Sequence, residues 1–182
     1  MYPFFRMALA LRRARRIEPV PVFGTHVSHH WVTPLDIDIW LELNNGRTLT
    51  LYDLARVPMF LNMGFAEKAK GAGIYFAVAG ASVRYRQRVT PFQKVEIRTR
   101  VLGWDDRFYY TEQSMWRDGT CVNHLLLRSA TARRGKGIVP PSELAGLMGM
   151  DHESPPLPDW VQAWIAADSQ RPWPPEMHAP QA

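Results

Sequence analysis

The chain has a single cysteine, Cys121, among its 182 residues. An internal disulfide is therefore excluded, and a reducing compartment is the default expectation. No uninterrupted apolar run reaches the roughly 20 residues that a membrane-spanning helix needs. Acidic residues are outnumbered, 17 against 22 basic ones, so the net charge is +5 and an anionic partner is favoured. No histidine lies between Trp31 and Arg56, the stretch on which the rest of the chain centres. His26, Ser28 and His30 would share one face of a strand, but no third ligand for a metal is recognisable nearby. Neither a metal nor a cofactor is expected. Nucleic-acid binding is not expected either: the arginines alternate within strand-like runs, and no recognisable motif accompanies them. There is no internal repeat and no low-complexity tract.

What is present is the composition of an ordinary globular domain, 46% hydrophobic and 21% charged. Residues 2–16 carry Phe4, Phe5, Met7, Leu9 and Leu11 ahead of Arg12, Arg13, Arg15 and Arg16. A secretory signal has the opposite order. Two readings stand: a helix laid on an anionic membrane, or a helix packed on the domain with a solvated basic end. Residues 20–32 read as extended. From Arg47, the residues Leu49, Leu51, Leu54 and Ala55 form the apolar stripe of a helix. Pro58 predicts a break or kink, with a looser helical turn over 57–65 and a polar, glycine-containing loop over 67–73. Strands are expected at 74–89, 93–103, 107–117 and 120–133, the last pair joined by the Asp118-Gly119 hairpin turn. Connections this short give an antiparallel meander. From residue 135 proline is dense, with short helical patterns at 142–150 and 159–167. Trp160, Trp164 and Trp173 predict that this tail packs on a surface, and disorder is expected beyond Trp173. The organisation is thus an N-terminal basic and apolar helix (1–18), a central domain (19–134) and a Pro/Trp-rich extension (135–182).

The chemistry is concentrated in residues 31–56. Asp36 and Asp38 sit one residue apart, Glu42 follows, and Asn44-Asn45-Gly46 reads as a tight turn and helix cap. A carboxylate loop that feeds a helix sets acidic side chains beside unpaired N–H groups at the positive end of the helix dipole. A base and a stabiliser of negative charge then stand together, as carbonyl chemistry requires.

Asp36-Ile37-Asp38, Asn44-Asn45-Gly46-Arg47, residues 51–56 (LYDLAR), Ser82-Val83-Arg84-Tyr85 and residues 101–106 (VLGWDD) together resemble the hotdog-fold acyl-CoA thioesterases, relatives of the 4-hydroxybenzoyl-CoA and fatty acyl-carrier-protein thioesterases. The resemblance covers residues 22–133. It implies an α+β hotdog fold, one long helix wrapped by a curled antiparallel sheet, here with an N-terminal helix and a Pro-rich C-terminal extension added. It also implies an acyl-CoA or other acyl thioester substrate, a role in lipid metabolism, and a homodimer or dimer of dimers with its site at the subunit interface. The expected location is the cytoplasm, with residues 2–16 offering a peripheral membrane contact. Asp38 matches the catalytic acid of the loop. Relatives commonly read D-x-D-x-N-x-H-x-N-N, whereas Trp40 and Glu42 stand here where Asn and His are usual. A histidine-assisted step thus lacks its histidine, while Asp38 and Glu42 both remain as acids.

Hydrolysis of a thioester needs an activated water or a carboxylate nucleophile, and donors aimed at the developing oxyanion. Asp38 or Glu42 fills the first role; Glu42 either shares one pocket with Asp38 or points to solvent and serves only the helix dipole. The N–H groups of Asn45, Gly46 and Arg47 fill the second, while the side chains of Asn44 and Asn45 read as helix caps ahead of catalysts. Asp53 either faces the substrate or pairs with Arg56 on the helix surface. Arg84, Arg86 and Arg88 either form a solvated sheet face or cradle the phosphates of coenzyme A. The alternative to an enzyme is a hotdog protein that binds acyl-CoA or an acyl carrier without turnover, motivated by Trp40 and Glu42. A hydratase is the weakest option, for want of a histidine. Cys121 reads as a core residue, with His124 on the opposite strand face.

Overall fold

The computed structural model describes residues 2–175. In chain order its elements are α1 (Phe4–Ala14), β1 (His26–Trp31), a single 3-10 turn (Pro34–Asp36), α2 (Asn45–Asn62), α3 (Phe65–Gly71), β2 (Ile74–Tyr85), β3 (Lys94–Trp104), β4 (Phe108–Arg117), β5 (Thr120–Arg133), β6 (Gly137–Val139), α4 (Pro141–Leu147) and α5 (Asp159–Ser169). All strands belong to one antiparallel sheet of order β1-β3-β4-β5-β2, with β6 paired to β5. The expected meander is present over three strands, β3-β4-β5; the fourth, β2, pairs with β5 at the far edge rather than with its sequence neighbour β3, whose other side is taken by β1. Alternation explains it: in β3, Val95, Ile97, Thr99 and Val101 are buried while Lys94, Arg98 and Arg100 face solvent.

The sheet curls around α2. Leu51, Tyr52, Leu54, Ala55 and Met59 are all essentially inaccessible, and Val95, Ile97, Met115 and Leu125 of the sheet pack with the first half of the helix. The single apolar stripe expected of α2 is an underestimate, because Thr48 and Arg56 are buried too. Pro58 does not break the helix. It lacks only the N–H that would bond one turn back, and α2 continues to Asn62. The helix ends at Gly64, whose φ of 78° suits a residue without Cβ. The chain then restarts as α3, where a loop was expected. β1 is shorter than the expected extended run, beginning only at His26.

α1 packs on the domain, as the second of the two readings of residues 2–16 had it. Arg6 Nη1 donates to both carboxylate oxygens of Asp36 (3.1 and 2.8 Å) and its Nη2 to the Trp31 carbonyl (2.9 Å). At the other end, Asn62 Nδ2 donates to the carbonyls of Ala14 and Ile17, both at 3.0 Å, while its Oδ1 accepts the Val20 N–H at 3.0 Å. α1 is thus pinned at both ends across α2, with Phe4 and Phe5 exposed.

The extension does not trail from the domain. β6 lengthens the sheet, and α5 lies on the outer sheet face, where Leu102, Tyr110, Leu126 and Val161 form a small core with Leu157, Trp164 and Ile165. Arg128 pairs with Asp168 at 2.8 Å. Gly103 (φ 150°) forms the bulge of β3, and a side chain there would strike Ser154, whose Oγ accepts the Trp104 N–H at 2.8 Å. Of the three tryptophans expected to pack, Trp164 does so and Trp160 stacks beside His124, but Trp173 stands in solvent. The tail beyond Pro175, for which disorder was expected, lies outside the described residues.

Candidate functional site

The loop between β1 and α2 is built by its own carboxylates. Asp36 is buried, 2% exposed, and accepts from Thr33 N (2.9 Å), Thr33 Oγ1 (2.8 Å) and Arg6. It closes the 3-10 turn as a capping box and ties α1 to it. Asp36 is structural. Beyond it, Ile37 and Leu43 form a bridge, and the chain between them is a lobe with Asp38 and Glu42 facing each other across its base: Asp38 N donates to the Glu42 carbonyl at 2.9 Å. Asp38 Oδ1 accepts the Trp40 N–H at 2.9 Å, and its Oδ2 has no partner among the described residues. The lobe tip exposes Ile39, Trp40 and Leu41, the last at a φ of 59°.

α2 starts at once behind this lobe. The Asn44 side chain is its cap, its Oδ1 accepting from Gly46 N (2.9 Å) and Arg47 N (3.3 Å). Two of the three N–H groups expected to meet an oxyanion are therefore already bonded within the chain. The Asn45 N–H is the one that remains. A cavity of about 240 Å³ opens beside it, walled by Glu42, Asn45, Thr48, Tyr85, Arg86 and Asn123, with Arg88 at its edge. Arg88 Nε pairs with Glu42 at 2.7 Å, so Glu42 meets a cation rather than the carboxylate of Asp38. Asp38 stands outside the cavity wall, on the lobe that borders it.

Of two further wall residues, Asn123 lay in no sequence motif, and Tyr85 lay in Ser82-Val83-Arg84-Tyr85 with no role assigned to it. Tyr85 donates its hydroxyl to the Asn45 carbonyl at 3.4 Å, and burial raises its pKa. Asn123 is buried and accepts the Tyr52 hydroxyl on both its side-chain and backbone oxygens. Burial, before all else, raises the pKa of Tyr52. Both are brought to the helix start by β2 and β5 pairing, which no local pattern reveals.

The other candidates scatter. Asp53 pairs with Arg56, whose buried guanidinium donates from Nη1 to Gln113 Oε1 at 2.9 Å; Gln113 in turn donates to Thr99 Oγ1 at 2.9 Å. The i,i+3 pair is thus anchored in the core rather than on the surface. Arg84, Arg86 and Arg88 do not share a face, because both Arg86 N and Gln87 N bond the Val122 carbonyl and the alternation is lost there. Arg84 instead borders a second cavity with His124, Trp160 and Trp164 on the outer sheet face. Arg98 and Arg100 are taken by Glu96 (2.7 Å) and Glu112 (2.6 Å). Cys121 is half-buried, not core, and burial raises its thiol pKa, so no thiolate nucleophile is provided. No group of three or more metal-ligating side chains occurs among the described residues, nor any helix long and apolar enough to cross a membrane.

His30 on β1 carries a pH consequence. Burial first, then Arg6 and Arg13, lower its pKa from 6.5 to about 4. The unfolded chain binds this proton more readily than the fold does. The contribution to stability is therefore complete above about pH 6.5 and is lost as pH falls towards 4. Denaturant midpoints measured at pH 7 and pH 4.5 are expected to differ less in His30→Gln than in the wild type.

A long helix in the curl of an antiparallel sheet, with an acidic lobe at the helix start, defines a hotdog-fold protein of thioesterase type. The chain belongs to the thioesterase-like superfamily, whose family model matches residues 32–165. Protein THEM6 of Xenopus laevis is 32% identical over 166 residues, spanning 89% of this chain and 78% of that protein. Among solved structures, the probable thioesterase YbaW of Escherichia coli superposes with a TM-score of 0.64 at 16% identity, over 68% of this chain and 96% of its own. The gentisyl-coenzyme A thioesterase BH1999 gives 0.59 at 17%, over 66% and 98%. At such identities the two structures establish the fold alone.

Proposed function

We propose that the protein hydrolyses an acyl thioester, most simply an acyl-CoA, to a free acid and a thiol, with Asp38 as base or nucleophile. The observation that carries this reading is the Asp38 carboxylate. One oxygen is fixed by the Trp40 N–H and the other has no partner among the described residues, on the lobe that delivers the chain to α2. As a base, Asp38 takes a proton from water, the water oxygen adds to the thioester carbon, and the C–S bond breaks as the thiolate leaves and is protonated. As a nucleophile it forms a mixed anhydride that water then hydrolyses. The Asn45 N–H and the α2 dipole supply the positive pole for the oxyanion. Glu42, held by Arg88, positions the lobe rather than taking the proton. Asp53, committed to Arg56, leaves the list of groups acting on the substrate.

BH1999 is by name a coenzyme A thioesterase, and a phosphate-bearing thiol suits this chain's charge of +5. Arg86 borders the cavity and makes no ion pair among the described residues, so it is the better phosphate candidate than Arg84. Arg86→Ala is expected to raise the KM for an acyl-CoA about fivefold or more with kcat little changed, while Arg84→Ala moves neither; steady-state kinetics on both variants decide it. β2 is an edge strand with Tyr75 and Val78 exposed, which supports a second copy completing the sheet and the site. Phe4 and Phe5 support a peripheral membrane contact of a cytoplasmic protein.

The test is release of free thiol from a panel of acyl-CoAs, followed with a thiol reagent. The second reading, a binding protein without turnover, is favoured by the Glu42–Arg88 pair standing where relatives carry histidine. Calorimetric binding of acyl-CoA with no thiol released over hours would select it.

A further inference from the structure

A further cavity, of about 410 Å³, lies beneath α1, a volume within the range of roughly 300–1,000 Å³ typical of small-molecule sites. Its roof is α1 and its floor is the inward face of β1 with Leu54 and Pro58 of α2. The family match begins at Val32, so neither α1 nor β1 belongs to it. The floor carries His26, Ser28 and His30, residues at alternate strand positions, and the Ser28 hydroxyl meets His30 Nε2 at 3.0 Å. His26 is only 4% exposed, yet its Nδ1 has no hydrogen-bond partner among the described residues. A buried polar atom of this kind calls for a ligand or another partner. No carboxylate lines the cavity. The charge of Arg6 is matched by Asp36, but Arg13 forms no ion pair among the described residues. Leu9, Ala10, Ile17 and Leu54 supply an apolar part of the lining, with His29 and Thr33 as its other polar members.

We propose that this cavity binds a single-headed organic anion with an alkyl body, its head between Arg13 and His26 and its body against Leu9, Ile17 and Leu54. Both imidazoles are held neutral, since burial lowers the pKa of His26 and of His30. They therefore act as hydrogen-bonding groups, and the positive charge comes from Arg13. The head is a carboxylate or a phosphate monoester, and the body gives an affinity that neither group has alone.

The test titrates decanoate, decyl phosphate, decanol and inorganic phosphate into the full chain and follows the ring resonances of His26 and His30 by NMR, a readout that needs no turnover. Saturable shifts with decanoate or decyl phosphate are expected, and whichever binds more tightly identifies the head. Decanol and inorganic phosphate are expected to bind at least about tenfold more weakly, the scale of one hydrogen bond to a charged group. Arg13→Gln is expected to weaken binding by a similar factor, and Ala10→Phe to abolish it by filling the cavity. Ala10→Phe is accepted as a test only with its circular dichroism unchanged, and Arg13→Gln, at an exposed position, stands independently. Absence of ring shifts at millimolar ligand overturns the proposal. So do shifts that survive both substitutions, or equal affinity for decanol.

Discussion

Asp38→Asn is expected to lower acyl-CoA hydrolysis by about 10²–10⁴-fold while leaving the thermal midpoint unchanged, because loss of a general base costs on that order. The size of the effect follows from what the side chain touches. Its Oδ1 receives two backbone N–H groups, those of Trp40 at 2.9 Å and Glu42 at 3.5 Å, which the amide oxygen of Asn accepts equally, so the lobe keeps its shape. Its Oδ2 bonds nothing else in the described chain, and in Asn that oxygen becomes an NH₂ that neither accepts a proton nor attacks carbon. Glu42 does not substitute, since Arg88 holds its carboxylate at 2.7 Å. Glu42→Gln should therefore cost far less than Asp38→Asn, through a looser lobe. A fall of less than about threefold in Asp38→Asn, measured by thiol release, would remove Asp38 from the chemistry.

The fold was legible where burial is one-sided and local. Alternation in residues 93–103 and 120–133, with Asp118-Gly119 between strands, specifies a meander because each strand has one face in the core. It was less legible where a second layer covers what would be the wet face. Arg56 reads as a surface cation, yet its guanidinium is buried against Gln113. Pro58 reads as a break or kink, yet α2 runs on to Asn62, its burial on several sides stabilising it beyond the cost of one lost bond. The arginines at 84, 86 and 88 illustrate a different limit. Strict alternation places them together, but the doubled bond at Val122 changes the period, and a bulge leaves no mark in residue types. In the site, the Asp38 lobe and the Asn44 cap are local and could be read directly. Tyr85, Asn123 and the Glu42–Arg88 pair are brought together by strand pairing across the chain, so the sequence carried no signal for their meeting, though Tyr85, Glu42 and Arg88 each stood in a motif or among the candidates.

Asp36 and Asp38 differ by one intervening residue and by everything that surrounds them, and the contrast gives the second large effect. Asp36→Ala is expected to destabilise the fold by about 3 kcal/mol, within the roughly 3–5 kcal/mol seen when one partner of a buried ion pair is removed and reduced because Arg6 is partly exposed. Four hydrogen bonds are lost at once: two from Arg6, and one each from the Thr33 N–H and hydroxyl. For a chain of this size the thermal midpoint should fall by about 6–12 °C. Asp36→Asn, which keeps an acceptor but not the charge, should lie between. The same carboxylate anchors the N-terminal end of α1, so amide exchange should rise across residues 4–14 in Asp36→Ala, with α2 protected as before. Arg6→Ala, which frees α1 but leaves the Thr33 turn closed, should raise exchange in α1 with a smaller loss of stability. A midpoint within 2 °C of wild type in Asp36→Ala, itself under about 1 kcal/mol, would make its buried ion pair a contact of no consequence and leave α1 held by Asn62 alone.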